Sequence, residues 1–546
     1  MKKTKISIVA SILAICTLAC TACGGKNSSS SSSYSPENDP KLLQAPDYSK
    51  YTHRFDSYAY SGPSDGIYRI DKEPFNVGQD FRTLENYQDY AAAGFTIYLP
   101  QNVGVKIASD FDEEVWAEEK VHMDAAYEAG LKIVLNDQRL QWLSTQQGSL
   151  IGVDGEDDPT TEEVETDKDY RFASEEELDD YIRKCMTLYK DHPGFYGLML
   201  GDEPRIYHLT AYSQMYQAFK RVAPDMYIQY NLLPNSTVYN DKDGIDNVKD
   251  DVRFPELTEE ETDPSWTETQ IDLKRYEKYL NMFMDAMPGI GFLQFDDYPI
   301  HQGTIDQDYL SGLQVAAKVC KERNLELHVV SQSCGMYSSG PDGYLYLAPI
   351  TKADCQWMNN VLLGFGVKQI HYFTYWTKAD NFTTGEYYID GASFVTYGGE
   401  KTDLYYWMQE IMANNQKFAP VIKQFNYQGS KSYRITPTNF DRTHIDLVDN
   451  SYEFKKLTNV VFEKELGFVT ELYDAENDNY MYMVMNLVGA WAEGSRAYQT
   501  NEVTFSSEYT HVVIYKNGVG TPQKLEEGNK LTVELAPGEA VYLLPY

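Results

Sequence analysis

Residues Gly194–Pro204 read GFYGLMLGDEP, a short apolar run that ends abruptly in two acids and a proline. The run is too short for a helix of its own and is rich in Gly, Phe, Tyr and Leu, so it reads as a buried parallel strand. Asp202 and Glu203 then fall just past its carboxyl end, and Pro204 removes a backbone donor and stops the ladder. In α/β folds ligands bind at that end of the strands. Asp-Glu-Pro is also ordinary loop composition, so the stretch taken alone reads equally as a strand followed by a solvated turn.

Similar runs recur on both sides of it. Phe55–Ser61, Gly94–Pro100 and Leu131–Asn136 precede it. Met226–Pro234, Gly289–Pro299, Leu325–Ser333 and Val367–Thr377 follow. Between them lie helical patterns at Leu84–Ala93, Glu113–Ala129, Ser174–Lys190, Thr210–Val222, Ile271–Met287, Tyr309–Arg323 and Thr351–Leu363. Ser174 and Glu177 form a capping box, and Gly130 ends its helix. Strands alternating with helices predict βα units and a parallel sheet, and eight of them suit a (β/α)8 TIM barrel over residues 51–425. An open doubly wound sheet is the weaker alternative, because no Gly-rich phosphate loop follows the first strand. Residues 148–169 and 235–265 are acidic and unpatterned and read as surface loops, rising from the face that carries the strand ends. After Phe425 short alternating runs punctuated by Gly and Asn predict a small antiparallel β-sandwich, residues 426–546.

The amino terminus has Lys2, Lys3 and Lys5 before an apolar run from Ile6 to Ala19 that ends in LACTACGG. This is the pattern of a secretory signal, and small residues leading into a cysteine resemble the lipobox of bacterial lipoproteins. Cys23 is the expected lipidated residue, with Cys20 as the alternative; a simply secreted chain is the plainer reading. Residues 24–50, with Ser28–Ser33, read as a polar tether. The expected location is the extracellular face of a bacterial cell membrane, with membrane contact only through the anchor. A formal net charge of -35 disfavours nucleic acid and anionic lipid as partners. Of the 7 Cys, Cys185, Cys320, Cys334 and Cys355 lie outside the signal and have no zinc spacing. They read as buried thiols, with a Cys334–Cys355 bridge as an unsupported option. No cofactor is implied.

Collected at the strand ends are Asp137, Asp202, Glu203, Asn231, Asp296, Asp297, Tyr298, Gln332, His371, Tyr372, Tyr375 and Trp376. Three strands bring acids to one mouth with aromatics beside them. Glycoside hydrolysis needs two carboxyl groups, one protonated to donate to the leaving oxygen. Crowded acids raise a carboxyl pKa, and aromatic faces hold sugar rings. The same acids would also suit Mg²⁺ or Ca²⁺, although no acid/His metal spacing supports this. Asp296-Asp297 reads alternatively as a solvated turn, and Tyr372 and Trp376 as ordinary barrel core.

GFYGLMLGDEP, YNLLP, FDDYP and IHYFTYWT, in this order, resemble bacterial barrel proteins of the glycoside hydrolase superfamily, related to the clan of the family 42 beta-galactosidases. The resemblance covers residues 55–425, and the sandwich is similar to the tail domain of such enzymes. It implies an acid/base role for Glu203, since the clan's strand-four motif is Asn-Glu-Pro. Asp202 stands where the Asn holds the sugar. The clan's nucleophile is a Glu ending strand seven, where this chain has VVSQSCG with Gln332 and no acid. Asp296 is then the expected catalytic partner of Glu203, ahead of Asp297, Asp354 and Glu386. Asp202, Asn231, Asp297, Tyr298, Gln332, Tyr372, Tyr375 and Trp376 are the expected sugar contacts. A non-catalytic carbohydrate-binding lipoprotein on a degenerate barrel is the alternative function.

Overall fold

The computed structural model describes residues 39–546 apart from 71–72, 77, 101–112, 153–171, 237–252, 302–303, 307, 338–344, 349, 378–392, 397, 434–448, 464–466 and 489–497. The signal, the serine tether, Cys23, Cys20, Glu386 and most of both acidic inserts therefore lie outside the described residues. The chain forms two compact units, 1–44 and 45–546. In the first, the described residues include a short 3-10 helix, Pro40–Gln44. The second holds the sheets and the α-helices.

This unit is mixed α/β. A hairpin, β1 (Ile67–Ile70) and β2 (Glu73–Asn76), precedes helix α1 (Leu84–Ala93). The chain continues through β3 (Ile97–Tyr98), α2 (Glu113–Glu128), β4 (Lys132–Leu135), α3 (Gln138–Ser144), α4 (Glu175–Met186), β5 (Phe195–Asp202), α5 (Leu209–Val222) and β6 (Tyr227–Asn231). Strands β3-β4-β5-β6 form one parallel sheet in that order. Then come α6 (Glu268–Ala286), β7 (Phe292–Asp297), two short strands β8 (Ile300–His301) and β9 (Thr304–Ile305), and α7 (Tyr309–Arg323). They are followed by β10 (Glu326–Gln332), β11 (Met336–Tyr337), β12 (Leu345–Leu347), α8 (Lys352–Gly364), β13 (Val367–Phe373) and α9 (Asp403–Ile422). Strands β13-β10-β7 form a second parallel sheet, and β11-β12-β8-β9 a small antiparallel one.

Backbone hydrogen bonds tie the two parallel sheets together. Leu232 pairs in parallel with Phe295, its N–H donating to Gln294 at 3.0 Å, which joins β6 to β7. Segment 55–61 lies between β13 and β3. Tyr60 and Tyr372 donate to Tyr372 and Tyr58 at 2.9 and 3.0 Å, and the Ser57 carbonyl accepts from Thr96 and Ile97. One carbonyl taking two successive N–H groups is not a regular ladder. The first expected strand therefore survives only as an isolated pairing of Ala59 with Tyr372.

Several helices begin where a side chain satisfies a free backbone group. Ser174 accepts from Glu177 N–H, and Thr351 and Asp354 form a reciprocal box at α8. Asp354 is thereby a helix cap and not a mouth acid. Asn324 ends α7 at φ 54°. Helices α3 and α9 are additions to the sequence pattern.

Beyond residue 425 two antiparallel sheets face each other. One has six strands, β14 (Asn426–Tyr433), β16 (Gly467–Asp474), β17 (Asn479–Asn486), β22 (Ala540–Pro545), β19 (His511–Lys516) and β20 (Val519–Lys524), in that spatial order. The other has three, β15 (Leu457–Phe462), β18 (Gln499–Phe505) and β21 (Lys530–Leu535). Strands β14, β16 and β20 were not expected from the alternation. Val460, Val484, Val503 and Leu531 fill the space between the sheets. The other face of the six-stranded sheet, through Met481, Met483, Met485 and Leu544, merges with the core under the helices. Cys185, Cys320, Cys334 and Cys355 are free and buried, so Cys334 and Cys355 are not bridged.

Gly197 sets the β5–β6 spacing, because a Cβ there would lie 1.9 Å from the Tyr227 carbonyl oxygen. Gly197→Ala must push these strands apart and is expected to destabilise the protein by about 3 kcal/mol, measured as the shift in urea unfolding midpoint at unchanged m-value.

Candidate active site at the ends of β5, β6 and β7

Three neighbouring strands end together. β5 delivers Asp202 and Glu203, β6 delivers Asn231, and β7 delivers Asp296 followed by Tyr298. Glu203 adopts φ 45°, a left-handed conformation uncommon for a residue with a side chain. Its N–H donates to the Asn231 carbonyl at 2.8 Å, and the carbonyl of the next residue, Pro204, accepts from Tyr279 Oη at 2.6 Å. These two contacts hold the reversal that turns the Glu203 side chain across the end of β6 to Asp296.

Glu203 and Asp296 are hydrogen-bonded to each other. The Glu203 carboxyl is held well above the usual range, first by crowding among protein atoms, then by the negative charges of Asp296 and Asp202; Arg253 opposes this. Asp296 is itself buried and raised by that burial, against hydrogen bonds donated by Glu203, Tyr298 and Asn231. Both carboxyls are pushed up, and two in contact resist ionising together, so the pair shares one proton. Asp202 is exposed beside them. Its Oδ1 accepts from Asn231 Nδ2 at 3.1 Å and Tyr60 Oη at 3.3 Å. Tyr298 is half-buried, its phenol pushed up by burial and by the charges of Asp296 and Glu203.

Of the expected site residues, Asp202, Glu203, Asn231, Asp296 and Tyr298 thus meet in one cluster. The others do not. Asp297 points to the opposite side of β7, where Asp306 is its principal charged neighbour and Tyr276 and Tyr309 feel its charge; the alternation along a strand separates it from Asp296. Gln332 is consumed by backbone. Its Nε2 donates to the carbonyls of Ile300, Cys334 and Ala348, and its Oε1 accepts from Ile300 N–H at 2.9 Å. It is a bracket that pins the small antiparallel sheet over β10, not a sugar contact. Tyr372 and Tyr375 pack against Phe95 and Phe394, and Trp376 against Phe81, all buried behind the parallel sheets. Asp137 is also turned away, paired with Arg139 at 2.5 Å and with Tyr189 Oη at 3.0 Å.

Tyr60 and Arg253 are site residues that the sequence pattern missed. Tyr60 was legible in principle, because it shares parity with Tyr58 along FDSYAYS. Arg253 stands in an acidic insert without periodicity and carried no such signal. Among the described residues no group of three or more His, Cys, Asp or Glu side chains is arranged to hold a metal ion.

No protein-family model and no curated protein matches the chain. Solved structures do show likeness. A glycoside hydrolase family 5 protein from Bacteroides vulgatus ATCC 8482 is 9% identical over 90% of this chain and 88% of that one, with a TM-score of 0.44. A GH27 β-L-arabinopyranosidase from Geobacillus stearothermophilus is 10% identical over 92% and 98%, with a TM-score of 0.43. A GH30 endoxylanase from Clostridium papyrosolvens C71 is 11% identical over 90% and 99%, with a TM-score of 0.36. Likeness at this level leaves the site's own geometry as the ground for a functional reading.

The raised Glu203 has a signed consequence for stability. The folded protein keeps a proton there that the unfolded chain loses near the ordinary carboxyl pKa, so this group's contribution falls as pH rises above that value. Glu203→Gln removes the effect. The variant is expected to match the parent at low pH and to exceed it in Tm at neutral pH, read from thermal melts across the range. A variant that is less stable throughout overturns the assignment.

Proposed function

We propose that the two parallel sheets and segment 55–61 close into a (β/α)8 barrel, and that the protein is a glycoside hydrolase acting at the carboxyl ends of its strands. The bonds from Leu232 to β7 and from segment 55–61 to β3 and β13 support closure. So does a small cluster of Tyr58, Tyr60, Ile97, Leu99, Val134, Met199 and Val330, drawn from both sheets and separate from the core under the helices. Active sites of such barrels lie at the carboxyl ends of the strands.

The observation that carries the reading is the pairing of Glu203 with Asp296 across the strand ends, which pushes both carboxyls up. Glycosidic cleavage needs a carboxyl that is still protonated when the substrate binds, and the Asp296 and Asp202 charges beside the exposed Glu203 favour that form. Glu203 donates that proton to the leaving oxygen. Asp296 is in hydrogen-bond contact with it, whereas a carboxylate on the far side of the bond stands about 5–5.5 Å away in retaining and 6.5–9.5 Å in inverting enzymes. Asp296 is therefore the positioning partner that orients Glu203. The second catalytic carboxylate is Asp202, exposed and oriented by Tyr60 and Asn231. It takes the proton of an attacking water as the water's oxygen bonds to the anomeric carbon and the bond to the leaving oxygen breaks.

A second reading is a carbohydrate-binding protein without turnover. It is favoured by Gln332, which ends β10 with every polar atom committed to backbone and leaves no carboxyl there. We further propose that Cys23 carries a lipid anchor and holds the protein on the extracellular face of a bacterial cell membrane. Among the described residues no helix is long and apolar enough to cross a membrane.

Reducing-sugar release on a broad glycan panel tests the hydrolase. The expected result is turnover by the parent, a loss of at least about a hundredfold in Glu203→Gln, and a product of inverted anomeric configuration. Binding without release on any glycan moves the assignment to the second reading. For the anchor, labelled palmitate is expected to enter the parent and not Cys23→Ala; label retained in that variant refutes Cys23.

A further inference from the structure

The space between the strands holds polar side chains beside the apolar ones of Ile97, Val134, Met199 and Val330. At mid-height Tyr58, Gln229, Gln294 and His371 meet across it. Gln229 and Gln294 donate to Tyr58 Oη at 2.9 and 2.7 Å, and the Tyr58 ring stacks on His371 at 3.9 Å between centroids. Contacts between segment 55–61, β6, β7 and β13 on one tyrosine place all four side chains in the interior.

Many polar atoms there have no protein partner. At mid-height these are Gln229 Oε1, Gln294 Oε1 and His371 Nε2, on residues with no exposure at all. Above them, beneath the mouth, are Asn136 Oδ1, Asn231 Oδ1 and Asp296 Oδ1. Below them is His328 Nδ1. All seven residues are more than nine-tenths buried. Turning the Gln229 amide over would let it accept from Tyr58 and satisfy one atom. Gln294 cannot turn, because its Nε2 also donates to the Tyr230 carbonyl at 2.6 Å.

The two histidines have fixed tautomers. His371 Nδ1 accepts from the Tyr58 N–H at 3.3 Å, so Nε2 carries the proton and is an unmatched donor. His328 Nε2 lies 3.0 Å from Glu326 Oε2 and donates to it, so Nδ1 is an unmatched acceptor. Their rings meet edge to face with centroids 6.0 Å apart. Leaving so many buried groups unpaired would cost about 1–3 kcal/mol each. Buried water relieves that cost, and at about three hydrogen bonds per molecule the seven atoms call for about two or three waters.

We infer that the interior of the ring binds a file of ordered water molecules running from the Glu326–His328 pair at the amino ends of the strands to the Glu203–Asp296 pair at their carboxyl ends. Glu326 opens on a cleft of about 400 Å³ that Lys368 and Lys423 also line, so the file reaches solvent from below. It supplies Asp296 Oδ1 with a hydrogen-bond partner and gives the acid pair contact with bulk water when a substrate fills the mouth. The inference rests on closure of the ring and not on any activity toward glycans.

A crystal structure of the full protein at about 1.2 Å resolution is expected to show waters within about 3.2 Å of Gln294 Oε1, His371 Nε2 and His328 Nδ1. Water-oxygen relaxation dispersion in solution is expected to count about two or three long-lived internal waters. His371→Phe keeps the stack on Tyr58 and should lose at least one; Gln294→Leu is the second variant should the first not fold. An interior in which these atoms pair with one another, or a long-lived water count unchanged in the variants, overturns the inference. Absence of glycosidase activity would leave these readouts untouched.

Discussion

The proton between Glu203 and Asp296 is the constraint on which the mouth depends. The two residues come from β5 and β7, which are not neighbours, so the chain must carry Glu203 over the end of β6. It does so by a left-handed backbone at Glu203 and a hydrogen bond to the Asn231 carbonyl. Asn231 occupies the gap and donates to Asp202 at 3.1 Å. A conformation unfavourable for glutamate by itself is thus held by three strand ends at once, as at other sites where local strain is stabilised from outside.

Beneath the mouth the two faces of the parallel strands are filled differently. Outside, tyrosines, leucines and methionines pack between strands and helices as a conventional core. Inside, β7 contributes Gln294 and Asp296 where an apolar side chain would fill the space more simply. Polar groups buried in this way cost free energy unless they are paired. The amides and tyrosines pair partly with each other, Tyr58 taking two amide donors and Tyr60 reaching Asp202.

The carboxyl-terminal sheets belong to the same packing problem. Gly364 at the end of α8 lies so close to Met483 that a Cβ would stand 2.5 Å from its methyl carbon. The six-stranded sheet therefore covers helices that would otherwise expose an apolar face. At the amino ends of the strands Lys368, on β13, is buried and lowered to about 7 by that burial. Its ammonium nevertheless donates to the carbonyls of Ile422, Lys423 and Phe425. Three carbonyls at a helix end favour the charged form, and they pin the start of β13 to the junction between α9 and β14.

What the amino-acid sequence determined by itself was periodicity and its interruptions. Seven of the eight expected runs became strands, and helices such as Leu84–Ala93 and Tyr309–Arg323 fall within the residues their pattern predicts, because caps and apolar spacing are local properties. The acids at the ends of β5 and β7 were legible for the same reason. Which face of a strand end each residue takes was not. Asp296 and Asp297 are adjacent in sequence, yet one faces the mouth and the other the helices, since parity depends on how the sheet is placed. Tyr372, Tyr375 and Trp376 have the composition of a sugar platform and became core, because burial depends on what packs over them. Gln332 was assigned to substrate and instead serves three carbonyls that only the folded chain brings within reach. The contact between Glu203 and Asp296 likewise exists only after three strands have aligned. Local pattern names the groups, and tertiary packing decides which of them meet.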